Sequence, residues 1–241
     1  MATSPARLTW LGHGTFLLHS PGGRRILFDA WLAHNPACPP DWKARAAQSL
    51  DTLLITHGHG DHVHDAVPLA ATATQTVAIF EIAQWLQRKG APAERVTEMN
   101  KGGTVDLGGV AATMVHAEHS CGISDGEQIL YGGEACGYIL RLEDGRRIYH
   151  AGDTAIFGDM RLIAELWHPE VAVLPIGGHY TMDPEQAAYA CGLLGIRAVV
   201  PGHYGTFPVL RGTPDDLRAA LRTRGLDVDV RACAPGESVE L

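Results

Sequence analysis

A short stretch of the chain concentrates the residue types that bind metal ions. A run of apolar and β-branched residues at 52–56 predicts a fully buried strand, and it leads directly into the letters HGHGDH. The alternating His57 and His59 can direct two imidazoles at one point, and Asp61 and His62 can face a second point on the next turn. Imidazole nitrogen and carboxylate oxygen suit zinc and similar divalent ions, and burying such groups without a partner is costly. The spacing therefore predicts a metal site at the end of a strand.

Three later segments carry further imidazole and carboxylate groups. AEHSC contains His119, HAGDT contains Asp153, and VPGHY contains His203, which again follows a predicted strand. With HGHGDH and these segments in this order, the sequence resembles the metallo-β-lactamase superfamily over nearly its whole length. The resemblance implies the fold of that superfamily and a metal-dependent hydrolase.

Longer strings carry a closer resemblance within the superfamily. They are HAGDT from His150, LPIGG from Leu174, TMDP from Thr181 and HYGTFP from His203. In these strings the sequence is similar to a group of uncharacterised metal-dependent hydrolases related to the L-ascorbate-6-phosphate lactonases.

The resemblance implies a site for two divalent ions, each held by three side chains, with one further carboxylate between them. The expected ligands are His57, His59 and His119 for the first ion, Asp61, His62 and His203 for the second, and Asp153 as the bridge. This count leaves a position for a bridging water. We expect zinc, with manganese, nickel and iron as the alternatives.

Four other residues near these segments have open roles. His116 lies three residues before His119, and the resemblance favours His119 as the ligand. His179 is predicted to contact the substrate or an intermediate, the alternative being a plain loop histidine. His13 resembles a histidine found near the metals in the lactonase-like branch, which implies contact with a ligand or the substrate, the alternative being a structural turn. Asp29 is expected to accept a hydrogen bond from a ligand histidine and so fix its tautomer.

The predicted mechanism is hydrolysis by a hydroxide bridged by the two ions. Metal-bound water has a pKa near about 7, so hydroxide is available at neutral pH to attack a carbonyl or phosphoryl centre. Asp61 and Asp153 are predicted to orient the nucleophile and relay its proton, and His179 is the third predicted catalytic residue. The substrate is expected to be a small molecule, namely a lactone, an ester or a phosphodiester, and the fold does not choose among these bonds.

Two other classes of protein could use the same residues. The first is a di-iron redox protein, although no flavin domain accompanies the site in this sequence. The second is a metal-binding or regulatory module without turnover, which the completeness of the ligand set disfavours. Metal content and a visible absorption spectrum separate the first class from a hydrolase, and a substrate panel separates the second.

The elements expected around these residues alternate between meanders and α/β units. Predicted strands cover 8–11, 15–18, 26–29, 52–56, 76–79, 136–142, 147–150, 171–175 and 198–201, and a further hairpin covers 103–117. Predicted helices cover 64–73, 80–89, 159–167, 184–194 and 214–224. Residues 33–48 are expected to be irregular and 120–135 to form a loop at the divide between two similar halves. The expected fold is a four-layer αββα sandwich, with 1–241 as a single domain.

Composition and charge disfavour several classes of binding partner. The 241 residues carry a formal net charge of −8 without any Lys/Arg run, which disfavours nucleic acid. No stretch approaches the roughly 20 apolar residues that span a bilayer, and the N-terminus lacks the pattern of a signal peptide, so a cytoplasmic location is expected. The five cysteines are scattered and predict reduced thiols. The sequence leaves open whether the chain forms a homo-oligomer.

Overall fold

The computed structural model describes residues 4–241, and two large sheets dominate it. The strands of the chain up to residue 99 are β1 (Arg7–Trp10), β2 (Phe16–His19), β3 (Arg25–Phe28), β4 (Thr52–Leu54), β5 (Gln75–Ile79) and β6 (Val96–Met99). The helices in the same part are α1 (Pro40–Arg45), α2 (Gly60–Val63), α3 (Ala66–Thr72) and α4 (Phe80–Arg88).

The rest of the chain repeats this plan of strands followed by helices. Its strands are β7 (Thr104–Asp106), β8 (Ala111–His116), β9 (Gly122–Asp125), β10 (Gln128–Tyr131), β11 (Cys136–Arg141), β12 (Arg147–His150), β13 (Val171–Pro175), β14 (Ala198–Gly202), β15 (Asp229–Val230) and β16 (Ser238–Glu240). Its helices are α5 (Met160–Trp167), α6 (Pro184–Leu194) and α7 (Pro214–Thr223). No helix within residues 4–241 is long and apolar enough to cross a membrane.

Each large sheet has seven strands and combines an antiparallel meander with parallel strands. The first has the order β16-β1-β2-β3-β4-β5-β6, with β3 to β6 parallel, and the second has the order β15-β14-β13-β12-β11-β8-β7, with β12 to β15 parallel. The two halves are therefore alike, as predicted. The carboxyl ends of parallel strands are where α/β folds place functional loops.

Successive side chains along strands of the second sheet belong alternately to two hydrophobic cores. Met114 and Tyr138 belong to the core shared with the first sheet, whereas their neighbours Val115 and Ile139 belong to a second core with α5, α6 and α7. Helices α3 and α4 add their buried residues to the first core. Because successive side chains of a strand point to opposite faces, this pattern defines two sheets with helices outside them. The predicted αββα sandwich is confirmed.

Local sequence explains where α6 and α7 begin. The Asp183 side chain accepts a hydrogen bond from the backbone of Gln186, and Pro184 is the first residue of α6. Thr213 and Asp216 form a capping box at the start of α7. Both starts agree with the prediction, because these residue types satisfy the free N–H groups of a first turn.

Three details of the predicted organisation were wrong. Helix α1 lies in the segment expected to be irregular, and the hairpin of β9 and β10 occupies the expected loop at 120–135. The chain passes between the sheets earlier than predicted, at 100–103, because β7 and β8 already pair within the second sheet. A further strand, for which no prediction was made, is β16, which returns to the first sheet and pairs with β1. These features depend on pairing across the chain, which local patterns do not report.

Candidate metal centre

Strand ends and loops at one edge of the two sheets carry the predicted ligands. His57 and His59 follow β4, and Asp61 and His62 lie in α2. The other three lie in the second half, in the loop after β8, in the loop after β12 and directly after β14, and they are His119, Asp153 and His203.

The loops of His119 and Asp153 are tied to each other. The backbone N–H of Glu118 donates to Thr154 Oγ1 at 3.0 Å, and the backbone N–H of Ala155 donates to the carbonyl of Glu118 at 2.9 Å. Each loop thus satisfies backbone groups of the other, which fixes the imidazole of His119 near the carboxylate of Asp153.

The first group of candidate ligands consists of three imidazoles. His57 Nε2 lies 3.1 Å from His59 Nδ1, and the ring of His119 has its centre 5.1 Å from that of His57 and 5.0 Å from that of His59. One nitrogen from each ring falls within 4.8 Å of the others. This is the group predicted for the first ion, and it takes His119 rather than His116.

The second group surrounds one carboxylate oxygen. Asp61 Oδ2 lies 3.9 Å from His62 Nε2, 4.0 Å from His203 Nε2 and 2.8 Å from His13 Nε2. The four ligand atoms lie within 4.8 Å of one another. The structure therefore brings together the three residues predicted for the second ion and adds His13 to them.

Asp153 lies between the two groups. Its Oδ2 is 2.9 Å from His203 Nε2 and 3.4 Å from His62 Nε2 on one side, and 3.8 Å from His119 Nε2 and 4.0 Å from His57 Nε2 on the other. The side chain is only 5 % exposed. This position fits the bridging carboxylate that the sequence predicts.

Hydrogen bonds from outside the cluster hold three of the rings. His62 Nδ1 lies 2.7 Å from the buried carboxylate of Asp29, which also accepts from the backbone N–H and the hydroxyl of Thr56. His57 Nδ1 lies 3.0 Å from the same hydroxyl. His59 Nε2 lies 3.1 Å from Ser120 Oγ. Such partners of the second ring nitrogen orient metal-binding histidines, and the contact predicted for Asp29 is present.

Burial and mutual charge set the protonation of the cluster. Burial lowers the pKa of His57, His59 and His119, which favours neutral imidazole with a free lone pair. Burial opposes ionisation of Asp153, but His203 and His62 outweigh it and hold the pKa of that carboxyl well below its usual range. Burial likewise opposes a charge on His62, but Asp153 and Asp29 raise its pKa well above the ordinary value.

The donor set fits two divalent ions. His62 Nε2 is buried and has no hydrogen-bond partner among the described residues, although Asp153 and Asp61 lie within 3.4 and 3.9 Å. A buried nitrogen without a hydrogen bond is costly unless something satisfies it. Imidazoles and monodentate carboxylates are the ligands that zinc and related ions prefer.

An open cavity of about 680 Å³ lies over both groups. Candidate ligands form part of its lining, Ser120 adds a hydroxyl, and the remaining wall is apolar and solvent-exposed. The apolar wall consists of Tyr180, Phe207 and Val209. None of these three was predicted as a site residue, although Phe207 lies in the HYGTFP string that begins at His203 and Val209 follows it closely.

The structure does not place His179 at this cavity. Gly178 and His179 both have positive φ, 73° and 62°, and the turn they form leaves His179 exposed in the wall of a neighbouring cavity of about 1080 Å³. Tyr180 lines the cavity over the candidate ligands instead. The contact predicted between His179 and the substrate stays a prediction without geometric support. His116 lies away from both groups, 3.2 Å from Lys101 Nζ and against Phe157.

Comparison with known proteins defines the class. A family model described as a beta-lactamase superfamily domain matches residues 24–204. The chain therefore belongs to the β-lactamase superfamily and is a metal-dependent hydrolase of the metallo-β-lactamase type.

Similar proteins narrow this to one group. The chain is 52% identical over 233 residues to a UPF0173 metal-dependent hydrolase of Koribacter versatilis. This match covers 96% of this chain and 97% of that protein. It is 53% identical to a UPF0173 metal-dependent hydrolase of Solibacter usitatus, with 97% and 99% covered. The predicted link to the L-ascorbate-6-phosphate lactonases is not shown by these relatives.

A solved structure of a similar protein confirms the fold. Igni18, a metallo hydrolase from the hyperthermophilic archaeon Ignicoccus hospitalis, is 35% identical, covers 99% of both chains and superimposes with a TM-score of 0.84. The sandwich architecture, the candidate ligand groups and the relatives therefore agree on the same class of enzyme.

Proposed function

We propose that the chain holds two divalent ions and hydrolyses a small molecule at a carbonyl or phosphoryl centre. The position of Asp153 supports this most directly, because its Oδ2 lies within 4.0 Å of an imidazole nitrogen from four histidines in two separate groups. One carboxylate oxygen in contact with both groups suits a pair of ions that share a ligand.

The ions would supply Lewis acidity to the substrate oxygen and lower the pKa of water to about 7. The chain's own residues hold and position the reacting groups. His57, His59, His119 and Asp153 would hold one ion, and Asp61, His62, His203 and Asp153 would hold the other.

Asp61 is the carboxylate best placed to orient the nucleophile. Its side chain is 31% exposed and lines the cavity, whereas that of Asp153 is 5% exposed. Burial opposes ionisation of Asp61, but its contact with His13 and the charge of His62 lower its pKa below the usual range. The ionised carboxylate at the floor of the cavity can accept a hydrogen bond from the nucleophile and so orient it, whereas its lowered pKa makes it a weak base.

The cavity wall favours a neutral substrate with an apolar group beside the scissile bond. Tyr180, Phe207 and Val209 give the exposed apolar surface, and the described residues that line this cavity include no lysine or arginine. Without a cationic side chain to neutralise a second anionic group, esters and lactones fit better than doubly charged phosphates.

A metal titration combined with a substrate panel tests the proposal. Metal-free protein is reconstituted in parallel with zinc, manganese, nickel and ferrous iron, its metal content is measured, and aryl esters, lactones and phosphodiesters are assayed. We expect about two ions per chain and hydrolysis that follows the metal content. A visible absorption spectrum of the protein as isolated separates iron from zinc.

Asp153→Asn and Glu165→Gln form a matched pair for this test, since each exchanges one carboxylate for an amide. Glu165 is exposed on α5 and does not line the cavity over the candidate ligands. We expect Asp153→Asn to reduce hydrolysis about 100-fold or more and Glu165→Gln to leave it within about twofold. Less than about one ion per chain after reconstitution, or equal activity of the two variants, would contradict the proposal.

A further inference from the structure

We propose that His13 is itself a ligand of the ion held by Asp61, His62 and His203. The inference rests on the proposed two-ion site and adds one more imidazole to the ligands proposed for its second ion. His13 comes from the turn after β1, far in sequence from the other members of this group, and its side chain is fully buried.

The distances around Asp61 support a common ion. His13 Nε2 lies 2.8 Å from Asp61 Oδ2, the same oxygen that lies 3.9 Å from His62 Nε2 and 4.0 Å from His203 Nε2. With bonds of about 2.0–2.2 Å, two ligands of one ion are separated by about 3–4 Å. The four candidate ligand atoms approach this separation, since they all lie within 4.8 Å of one another.

The other ring nitrogen of His13 has a partner like those of the expected ligands. His13 Nδ1 lies 3.0 Å from the hydroxyl of Thr206, just as His57 Nδ1 lies 3.0 Å from the hydroxyl of Thr56. The Thr206 hydroxyl can donate to the carbonyl of Tyr204 at 3.5 Å and accept from His13 Nδ1–H. That arrangement leaves the lone pair of Nε2 directed at the cluster, as a metal ligand requires.

The backbone at His13 adopts a strained conformation that places its imidazole at the cluster. His13 has a φ of 55°, in the left-handed region that non-glycine residues rarely occupy. Its carbonyl accepts hydrogen bonds from the backbone N–H of His203 at 2.9 Å and from Trp10 Nε1 at 2.9 Å. The turn is therefore locked directly against the segment of another expected ligand, and such strained residues concentrate at functional sites.

The competing role for His13 is a hydrogen bond from Nε2–H to Asp61, which would position the carboxylate without touching an ion. His13→Gln separates the two roles, because the glutamine amide can still donate to Asp61 but replaces the imidazole nitrogen. His168→Gln is the matched control, since His168 is exposed at the end of α5 and does not line the cavity over the ligands.

The affinity of each ion is measured by competition with a chromophoric chelator, using zinc. We expect His13→Gln to weaken one of the two zinc sites about 100-fold or more and to leave the other unchanged, whereas His168→Gln should bind zinc like wild type. A His13→Gln protein whose two affinities stay within about threefold of wild type would overturn the proposal.

A crystal structure of the zinc-loaded wild-type protein gives the independent measurement. We expect anomalous density about 2.0–2.1 Å from His13 Nε2. Two zinc ions with His13 Nε2 more than about 3 Å from both would preserve the proposed function and overturn this inference, whereas failure of the wild-type protein to bind zinc would overturn both.

Discussion

At the scale of single residues, the centre depends on imidazoles whose two ring nitrogens have different partners. His62 shows this most clearly, because Nε2 faces Asp153 and Asp61 while Nδ1 lies 2.7 Å from the buried carboxylate of Asp29. Asp29 has a φ of 59° and is satisfied by Thr56 as well. A carboxylate held this firmly fixes the ring orientation and the tautomer of His62.

Replacement of Asp29 by asparagine should therefore weaken metal binding without removing a ligand. The amide can present N–H to His62 Nδ1, so the tautomer that leaves Nε2 free is no longer enforced. We expect the affinity of one ion to fall about 10–100-fold, measured by chelator competition. Asp51→Asn is the control, since Asp51 is a partly buried carboxylate that accepts from the backbone N–H of Arg25 at 2.8 Å. Equal affinities in the two variants would contradict this role of Asp29.

At the scale of elements, the site requires a close approach between the β1–β2 turn and α2. A Cβ built on Gly14 would lie 2.5 Å from Cε1 of His62, which is shorter than any real contact of that kind. A Cβ on Gly60, at the start of α2, would meet no atom within 4 Å. A side chain can therefore be accommodated at Gly60 but not at Gly14, although both glycines lie near His62.

Gly14→Ala and Gly60→Ala give a direct test of this packing. In Gly14→Ala the new methyl group must displace the imidazole of His62, so we expect loss of one ion and a decrease in hydrolysis of about tenfold or more. Gly60→Ala should retain both ions and activity within about twofold, because the methyl group enters open space. Metal content and kcat/KM of both variants are the measurements. A Gly14→Ala protein with two ions at wild-type affinity would show that His62 can move without consequence.

Local sequence predicted the elements better than the contacts between them. The HGHGDH segment was informative because its ligands are neighbours in the chain, and the residues that cap α6 and α7 act within one turn. The partnership of His13 with Thr206, by contrast, joins residues on opposite ends of the chain. The hairpin of β9 and β10 and the pairing of β16 with β1 also depend on long-range register. The exposed position of His179 follows from two successive left-handed residues, which its sequence did not distinguish from a loop that faces the site.

At the scale of the whole molecule, both candidate groups take ligands from both halves. His57 and His59 from the first half meet His119 from the second, and Asp61 from the first half meets His203 from the second. Near them, the Tyr138 hydroxyl of the second sheet donates to the carbonyl of Ile55 at 2.8 Å. Ions bound here would connect the two halves of the chain at one edge of the sheets, so metal binding and folding should be linked.

Removal of metal should therefore lower the thermal stability of the protein. One ion present at 100 times its dissociation constant adds about 2.7 kcal/mol to the free energy of unfolding. For a chain of this size, this corresponds to a decrease in Tm of about 5–10 °C after chelation. The measurement is thermal unfolding before chelation, after chelation and after zinc is restored. His119→Ala should show a smaller change, and identical Tm values for metal-free and zinc-loaded wild type would contradict the linkage.

The passage of the chain between the sheets at 100–103 has a practical consequence. A cut there yields two polypeptides, and the ligands divide between them, with the HGHGDH segment on one and His119, Asp153 and His203 on the other. Strand β16 travels with the second piece but pairs with β1 of the first, which gives the fragments a second point of attachment. Divalent ions would then promote the association of the two fragments, because each fragment supplies part of the ligands. A split reporter fused to the two fragments would report the presence of the metal.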